Sequence, residues 1–251
     1  MLKRSDAPVS DDISAQPLFP LAATDLVFAD RGRTLIDNLS LTLDGRGITA
    51  VMGSNGAGKS LLLRLLHGLL TPTSGAIRWG GNPLSDEVRA RQAMVFQRPT
   101  MLRRSAADNL RFVLNHLPRN ERDRRVEELI AEAKLDHAAA TPARLLSGGE
   151  QQRLAIARAR ATEPEVLFLD EPTASLDPAS VHAIEEVVRT IHADGIKVII
   201  VTHDIGQAKR LADDVVFINR GRVAEQAAAA AFFERPATDA AQAYLEGRLQ
   251  F

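Results

Sequence analysis

The residues best suited to chemistry form one octet: Gly53, Ser54, Asn55, Gly56, Ala57, Gly58, Lys59 and Ser60, spaced G-x-x-x-x-G-K-S. An apolar run ends just before it at Met52, and a helix-patterned segment, Lys59–Leu70, begins inside it. Glycines let successive backbone amides turn inward around an anion. The head of the following helix adds its partial positive charge. Lys59 brings a point charge for β- and γ-phosphates, and Ser60 an oxygen for Mg2+. A glycine-rich loop in this strand–loop–helix setting predicts a site for the phosphate chain of a nucleoside triphosphate.

Three more apolar runs end in groups that such a site needs. "VLFLDEP" ends at Asp170 and Glu171. Asp170 suits the metal and its water shell, and Glu171 can take a proton from an attacking water or orient it. "VIIVTHD" ends at His203, placed to touch a γ-phosphate, and "MVFQ" ends at Gln97, whose amide can meet metal and water. In an open parallel sheet ligands sit at the carboxyl ends of the strands, so all four groups share one edge. His67, His116, His137, His182 and His192 lack such a setting and read as ordinary surface or core residues.

One stretch does not fit a single-copy site. In "ARLLSGGEQQRLAIARAR", Ser147 and Glu150 form an S-x-x-E capping box at a helix head. Gly148 and Gly149 cost backbone entropy there, and their use is to let another backbone or a phosphate come close. The octet already cradles one phosphate chain. The economical inference is that this second receptor serves another copy's nucleotide, with two copies head to tail about a twofold axis.

The elements that must position these groups follow from patterning. Ile48–Met52, Met94–Phe96, Val166–Leu169 and Val198–Val201 are continuous apolar runs, the mark of strands buried on both faces of a parallel sheet. Helical segments at Lys59–Leu70, Ser147–Ala161 and Ala179–Ala193 alternate with them, which predicts an α/β fold. Leu21–Leu43 alternates more and carries turn signals at Asp30–Gly32 and Asp44–Gly47, predicting a small antiparallel sheet. From Arg98 to Arg144 no strand is evident. "NERDRRVEELIAEAKLD" is a charged amphipathic helix with Val126, Leu129, Ile130 and Leu135 apolar, so a helical subdomain is inserted at about 98–160. The chain divides into a mobile tail (1–20), a main domain (21–220) and a helical C-terminal extension (221–251), with Ala227–Ala231 as helix former and a turn at Pro236.

Bulk composition narrows the function. The 251 residues are 45% hydrophobic and 25% charged, enough for an ordinary core. A net charge of -1 gives no basic field for nucleic acid. With no cysteines, thiolate chemistry and disulfides are excluded. The start lacks a signal-peptide apolar core, and nowhere do about 18 apolar residues run together, so any membrane link goes through a partner.

"LSGGEQQRLAIARA" resembles the signature sequence of ABC-type ATPases. "GSNGAGKS", "VFQ", "LFLDEP", "SLD" and "TH" accompany it in the family's order, from about Leu21 to Asn219. The resemblance implies a P-loop NTPase with a RecA-like core of mainly parallel sheet, and two ATP molecules with Mg2+ sandwiched in a dimer. It implies that Gln97 is the Q-loop residue and His203 the switch histidine. Ser147, Gly148, Gly149 and Glu150, with Asp177 of the loop Ser175–Asp177, would face the partner's ATP. Leu61, which follows Ser60 where many relatives have threonine, is counted by the resemblance among the ATP-binding residues. The aromatic residue that stacks adenine in relatives aligns with Ala29 or Asp30; Phe28 is the nearest candidate. "TPARLLSGGEQQ" resembles importer ATPases, and the loop-helix, "QAMVFQRPTMLRRSAADNL" and tail segments look most like those of tungstate-type oxyanion importers. Phosphate and polar amino-acid importers are the alternatives, and a soluble ABC ATPase outside transport is the rival. The partners implied are a second copy, integral membrane permease subunits contacted through Arg98–Ser105, and indirectly a solute-binding protein. The place implied is the cytoplasmic face of the membrane.

Overall fold

The computed structural model describes residues 16–248, so the expected tail lies outside the described residues as far as residue 15. Residues 16–20 depart from that expectation. Leu18 is buried, Phe19 packs edge-on against Trp79 at 5.5 Å, and Arg91 donates to the Gln16 carbonyl.

In chain order the elements are β1 (Leu21–Asp30), β2 (Arg33–Leu43), β3 (Ile48–Met52), α1 (Lys59–His67), β4 (Ser74–Trp79), β5 (Asn82–Pro83), α2 (Asp86–Ala90) and β6 (Gln92–Val95). Then come α3 (Ala106–Val113), α4 (Arg119–Glu132), α5 (Gly148–Arg160), β7 (Val166–Asp170), α6 (Pro178–Ala193), β8 (Lys197–Val201) and α7 (Ile205–Leu211). The chain closes with β9 (Asp214–Asn219), β10 (Arg222–Ala228), α8 (Ala229–Glu234) and α9 (Asp239–Leu245).

Two sheets form. An antiparallel one has the order β2-β1-β4-β5, and the main sheet has the order β10-β9-β3-β8-β7-β6. Within the main sheet β3, β6, β7, β8 and β9 run parallel, and β10 is antiparallel. Every residue of β3, β7 and β8 is buried because both sheet faces are covered. Their side chains alternate between two cores. Val198 and Ile200 join Leu154 and Ile184 of α5 and α6, whereas Ile199 and Val201 join Leu62 and Leu66 of α1. The apolar positions of α4 are buried as the charge pattern requires.

Three boundaries differ from expectation for physical reasons. Helix α1 stops at His67, not Leu70, because Gly68 enters the left-handed region at φ 86° and returns its amide to Arg64 and Leu65 carbonyls. Strand β9 extends the sheet, although the sequence reading omits it. The C-terminal segment is not helical throughout: β10 pairs with β9, and Ala227 and Ala228 of the alanine run lie in that ladder. Pairing against a buried strand outweighs alanine's helix preference, a bias of only a few tenths of a kcal/mol per residue.

Candidate nucleotide site at the strand ends

The octet leaves β3 through a backbone that tolerates no side chain at Gly53. Its φ is 147°, and a Cβ there would lie 2.2 Å from the Ile218 carbonyl oxygen of β9. The β9–β10 turn clamps the loop from the side. Gly221 donates to the Ala57 carbonyl at 3.0 Å, and Asp37 of β2 donates to the Gly221 carbonyl at 3.0 Å. Ser54, Asn55 and Gly56 are exposed at the tip, while Ala57 is buried beneath. Gly58, φ 106°, opens α1 without a side-chain cap, leaving the helix-head amides to the loop. Leu61 packs against the core below.

Lys59 is buried, and its ammonium donates to the Gly53 carbonyl at 2.8 Å and the Ser54 carbonyl at 3.0 Å. Burial pushes its pKa down, opposed by the nearby Glu171 and Asp170 carboxylates. The Ser60 hydroxyl donates to Asp170 Oδ1 at 2.7 Å. Burial pushes the Asp170 carboxyl up, opposed mainly by that hydrogen bond and then by Arg64; Glu171 adds to the rise and Lys59 opposes it. A cation nearby would favour the ionised form of the Asp170 carboxylate, and an anion nearby the Lys59 ammonium. A glycine-shaped cradle beside two hard oxygen donors fits a triphosphate with Mg2+.

The structure brings Glu171 and His203 together. Glu171 sits in the left-handed region at φ 46° and donates its amide to the Val201 carbonyl at 3.1 Å, tying β7's end to β8. Such a backbone costs energy in a side-chain-bearing residue and persists because the surroundings impose it. His203 Nδ1 lies 3.3 Å from Glu171 Oε2, with the ring open to solvent. The Thr173 hydroxyl, after β7, donates to Gln207 Oε1 of α7 at 3.1 Å and links the two segments. Gln97 is exposed beyond β6 and makes no hydrogen bond to Asp170 or Ser60 among the described residues; its neighbour Phe96 accepts from Gln152 of α5 at 3.4 Å. Phe28 packs, half-buried, against the core beneath the small sheet.

The glycine-headed helix has the capping box expected of it: Glu150 accepts from the Ser147 amide at 2.8 Å, and Ser147 Oγ accepts from the Glu150 amide. The structure also answers part of the glycine question within one chain. A Cβ on Gly149 would stand 2.4 Å from Ser180 Oγ of α6, and one on Gly148 3.1 Å from Leu176. The close approach that needs glycine is thus supplied partly by this chain's own Leu176–Ser180 segment. Asp177 caps α6 there by accepting from the Ser180 amide at 3.0 Å. His137, read as ordinary, lies with Nε2 2.8 Å from Glu150. The Glu150 carboxyl is held down at about 2, first by Ser147 and then by His137.

One partner of the site escaped the motifs. The Tyr244 hydroxyl of α9 donates to the His203 carbonyl at 3.3 Å. The two are 41 residues apart, and nothing in the local spacing of either announces the contact.

The sequence profile of the ABC transporter family matches residues 36–174. This chain belongs to that family. Among similar proteins is the tungstate uptake system ATP-binding protein of Peptoclostridium acidaminophilum, 39% identical over 77% of this chain and 92% of the relative. The phosphate import ATP-binding protein PstB 2 of Mycobacterium tuberculosis is 37% identical over 90% of this chain and 88% of its own length. Of solved structures, cbiO1 from Clostridium perfringens, part of an ABC transporter complex, superposes with a TM-score of 0.79 at 31% identity, over 87% of this chain and 92% of that one. A dimeric ATP-binding cassette in a post-hydrolysis state with ADP and Pi gives a TM-score of 0.73 at 26% identity, over 83% and 98%. The chain is therefore an ABC ATPase, an ATP-binding and ATP-hydrolysing subunit of the importer type. Among its described residues no helix is long and apolar enough to cross a membrane.

Proposed function

We propose that this ABC ATPase hydrolyses ATP in a homodimer and so drives oxyanion import, tungstate foremost, through membrane permease subunits. The observation that carries the chemistry is the meeting of Glu171 and His203, 3.3 Å apart, at the sheet edge that also bears the octet. The amides of Gly53–Lys59 and the Lys59 ammonium bind the phosphates. Ser60, Asp170 and Gln97 would hold Mg2+, which when bound supplies neutralisation of phosphate charge. Glu171 accepts the proton of the attacking water, and His203 orients the groups around the γ-phosphate. Phe28 is the side chain assigned to adenine.

The second half of the pocket comes from the other copy: the head of α5 with Ser147, Gly148, Gly149 and Glu150, and Asp177 at the head of α6. Ser147 and Gly148 are exposed at the head of α5, and the absence of a side chain on Gly148 supports this reading because its amide remains approachable by an anion. Closure of two copies would move α3 and α4, which Arg98–Ser105 joins to Gln97. The segment Arg98–Ser105 is assigned to the permease. It borders a cleft of about 470 Å³ lined by Phe96, Pro99, Thr100 and Val113. Arg104 stacks on the half-exposed Phe112 at 5.4 Å beyond it. A solute-binding protein delivers the solute to the permease on the other side, and the ATPase works from the cytoplasmic face. The net charge of -1 supports a role without nucleic acid.

The tungstate assignment rests on the likeness to the tungstate uptake relative; the phosphate import relative keeps phosphate as the alternative. Co-expression with the candidate permease, followed by uptake into vesicles loaded with ATP and supplied outside with the solute-binding protein, tests both. Tungstate accumulation that competes with molybdate but not with phosphate is the expected outcome. Phosphate accumulation would replace the solute. Failure of the co-expressed permease to co-purify with the chain or to stimulate its ATPase would replace transport altogether by a soluble ABC ATPase.

A further inference from the structure

Helices α8 and α9 fold back over the main sheet and end at its catalytic edge. The fold-back is pinned at its start: Glu225, buried on β10, accepts from the Ala237 amide at 2.9 Å, the Thr238 amide at 3.1 Å and the Thr238 hydroxyl at 3.1 Å. Thr238 in turn caps α9. Along the helix, the Tyr244 ring lies 5.2 Å from Phe217 of β9, whose other side meets Phe232 of α8 at 5.8 Å. Phe217 pairs with Met52, the residue before the octet. Tyr244 is thus placed by packing from below and by Glu225 from the far end.

Its hydroxyl reaches between two parts of the site. It donates to the His203 carbonyl at 3.3 Å, and its oxygen lies close enough to the Gly53 main chain to feel that amide. Burial pushes the phenol's pKa up, so the hydroxyl stays a proton donor at neutral pH. His203 lies on the short connection between β8 and α7, where its own side chain is exposed and gains no fixity from packing. The Thr202 amide on the Val51 carbonyl at 3.3 Å and the Asp204 amide on Thr202 Oγ1 at 3.0 Å tie the residues on either side, and the Tyr244 hydroxyl adds the tie at His203 itself.

We infer that Tyr244 is a positioning residue for the switch histidine, holding the His203 main chain so that the ring stays beside Glu171. The inference rests on the proposed role of His203. It makes the C-terminal extension part of the hydrolytic apparatus: whatever displaces α9 releases His203 and slows turnover without emptying the nucleotide site. Phe217 packs on the ring, and the Glu171 and Asp204 carboxylates reach the hydroxyl through their field, with no hydrogen bond from either to it among the described residues.

Steady-state ATPase kinetics of the full chain test it. Tyr244→Phe keeps the ring and its packing and deletes only the hydroxyl. Loss of one neutral hydrogen bond in the transition state lowers kcat about fivefold, with the KM for ATP unchanged. In a His203→Ala background the same substitution adds no further loss, because the group being positioned is gone. Parental kcat in Tyr244→Phe beside an inactive His203→Ala overturns the inference alone. So does an equal loss in both backgrounds, or a raised KM at constant kcat, either of which reports a structural role. Full turnover by His203→Ala overturns the proposed role of His203 and this inference with it.

Discussion

At the scale of single residues the site is a balance of buried charges. Lys59 binds two loop carbonyls and sits within the field of Asp170 and Glu171, so removing it costs a charged anchor for phosphate. Lys59→Ala is expected to weaken ATP binding about 10- to 100-fold by calorimetry, the loss typical of hydrogen bonds to charged groups; unchanged affinity would contradict the cradle. Glu171→Gln keeps the shape of the side chain and removes its basicity. ATP binding should persist while turnover falls at least ~10²-fold, as for other general bases. Glu150 gives a pH signature. Its carboxyl is held down to about 2 in the fold, against 4.5 for a free glutamate side chain, by Ser147 first and His137 second. Its contribution to stability is therefore full above about 4.5 and fades as pH falls toward 2. Urea midpoints of the parent and Glu150→Gln should differ near neutrality and converge across that window. A gap that stays constant down to pH 2 would remove the carboxylate from the cap.

At the scale of elements, α5 and α6 meet head to head, and the contact is specific enough to test. Gly149→Ala places a Cβ 2.4 Å from Ser180 Oγ and 2.7 Å from Ser180 Cβ. Overpacking of this kind costs about 1–3 kcal/mol, and Ser180→Gly removes both opposing atoms. Denaturant unfolding should show the single variant destabilised and the pair partly restored; an innocuous Gly149→Ala would mean that the helix heads do not touch. This level also marks the limit of legibility. The octet, Asp170–Glu171, His203 and the Ser147–Glu150 box were readable because each is contiguous and tied to a strand end or a helix head by local physics. The antiparallel β1–β2 pair was readable from its alternation. β10 was not, because an alanine-rich segment carries helix propensity and becomes a strand only through its partner β9. Tyr244 was not, because its role exists only once α9 is folded onto Phe217. Nor was Ser180 as Gly149's neighbour, a contact between two helix heads 31 positions apart in the chain.

At the scale of the whole molecule, the proposed function requires one chain to hold two unlike halves of an ATP pocket on different elements. The octet lies between β3 and α1, and the glycine head of α5 follows the α3–α4 region. ATPase activity should then rise more steeply than linearly with protein concentration wherever the dimer is scarce, and a Gly148→Asp chain should bind ATP yet fail to dimerise. The most direct measurement is the mass of the Glu171→Gln chain in sedimentation, with and without ATP–Mg2+, since that variant should trap the closed state. The mass without nucleotide should be that of the 27.3 kDa chain. With ATP–Mg2+ it should double, and Gly148→Asp in the same background should abolish the doubling. A strictly monomeric chain with saturating ATP–Mg2+, together with robust turnover by the parent under the same conditions, would contradict a pocket completed across a twofold axis.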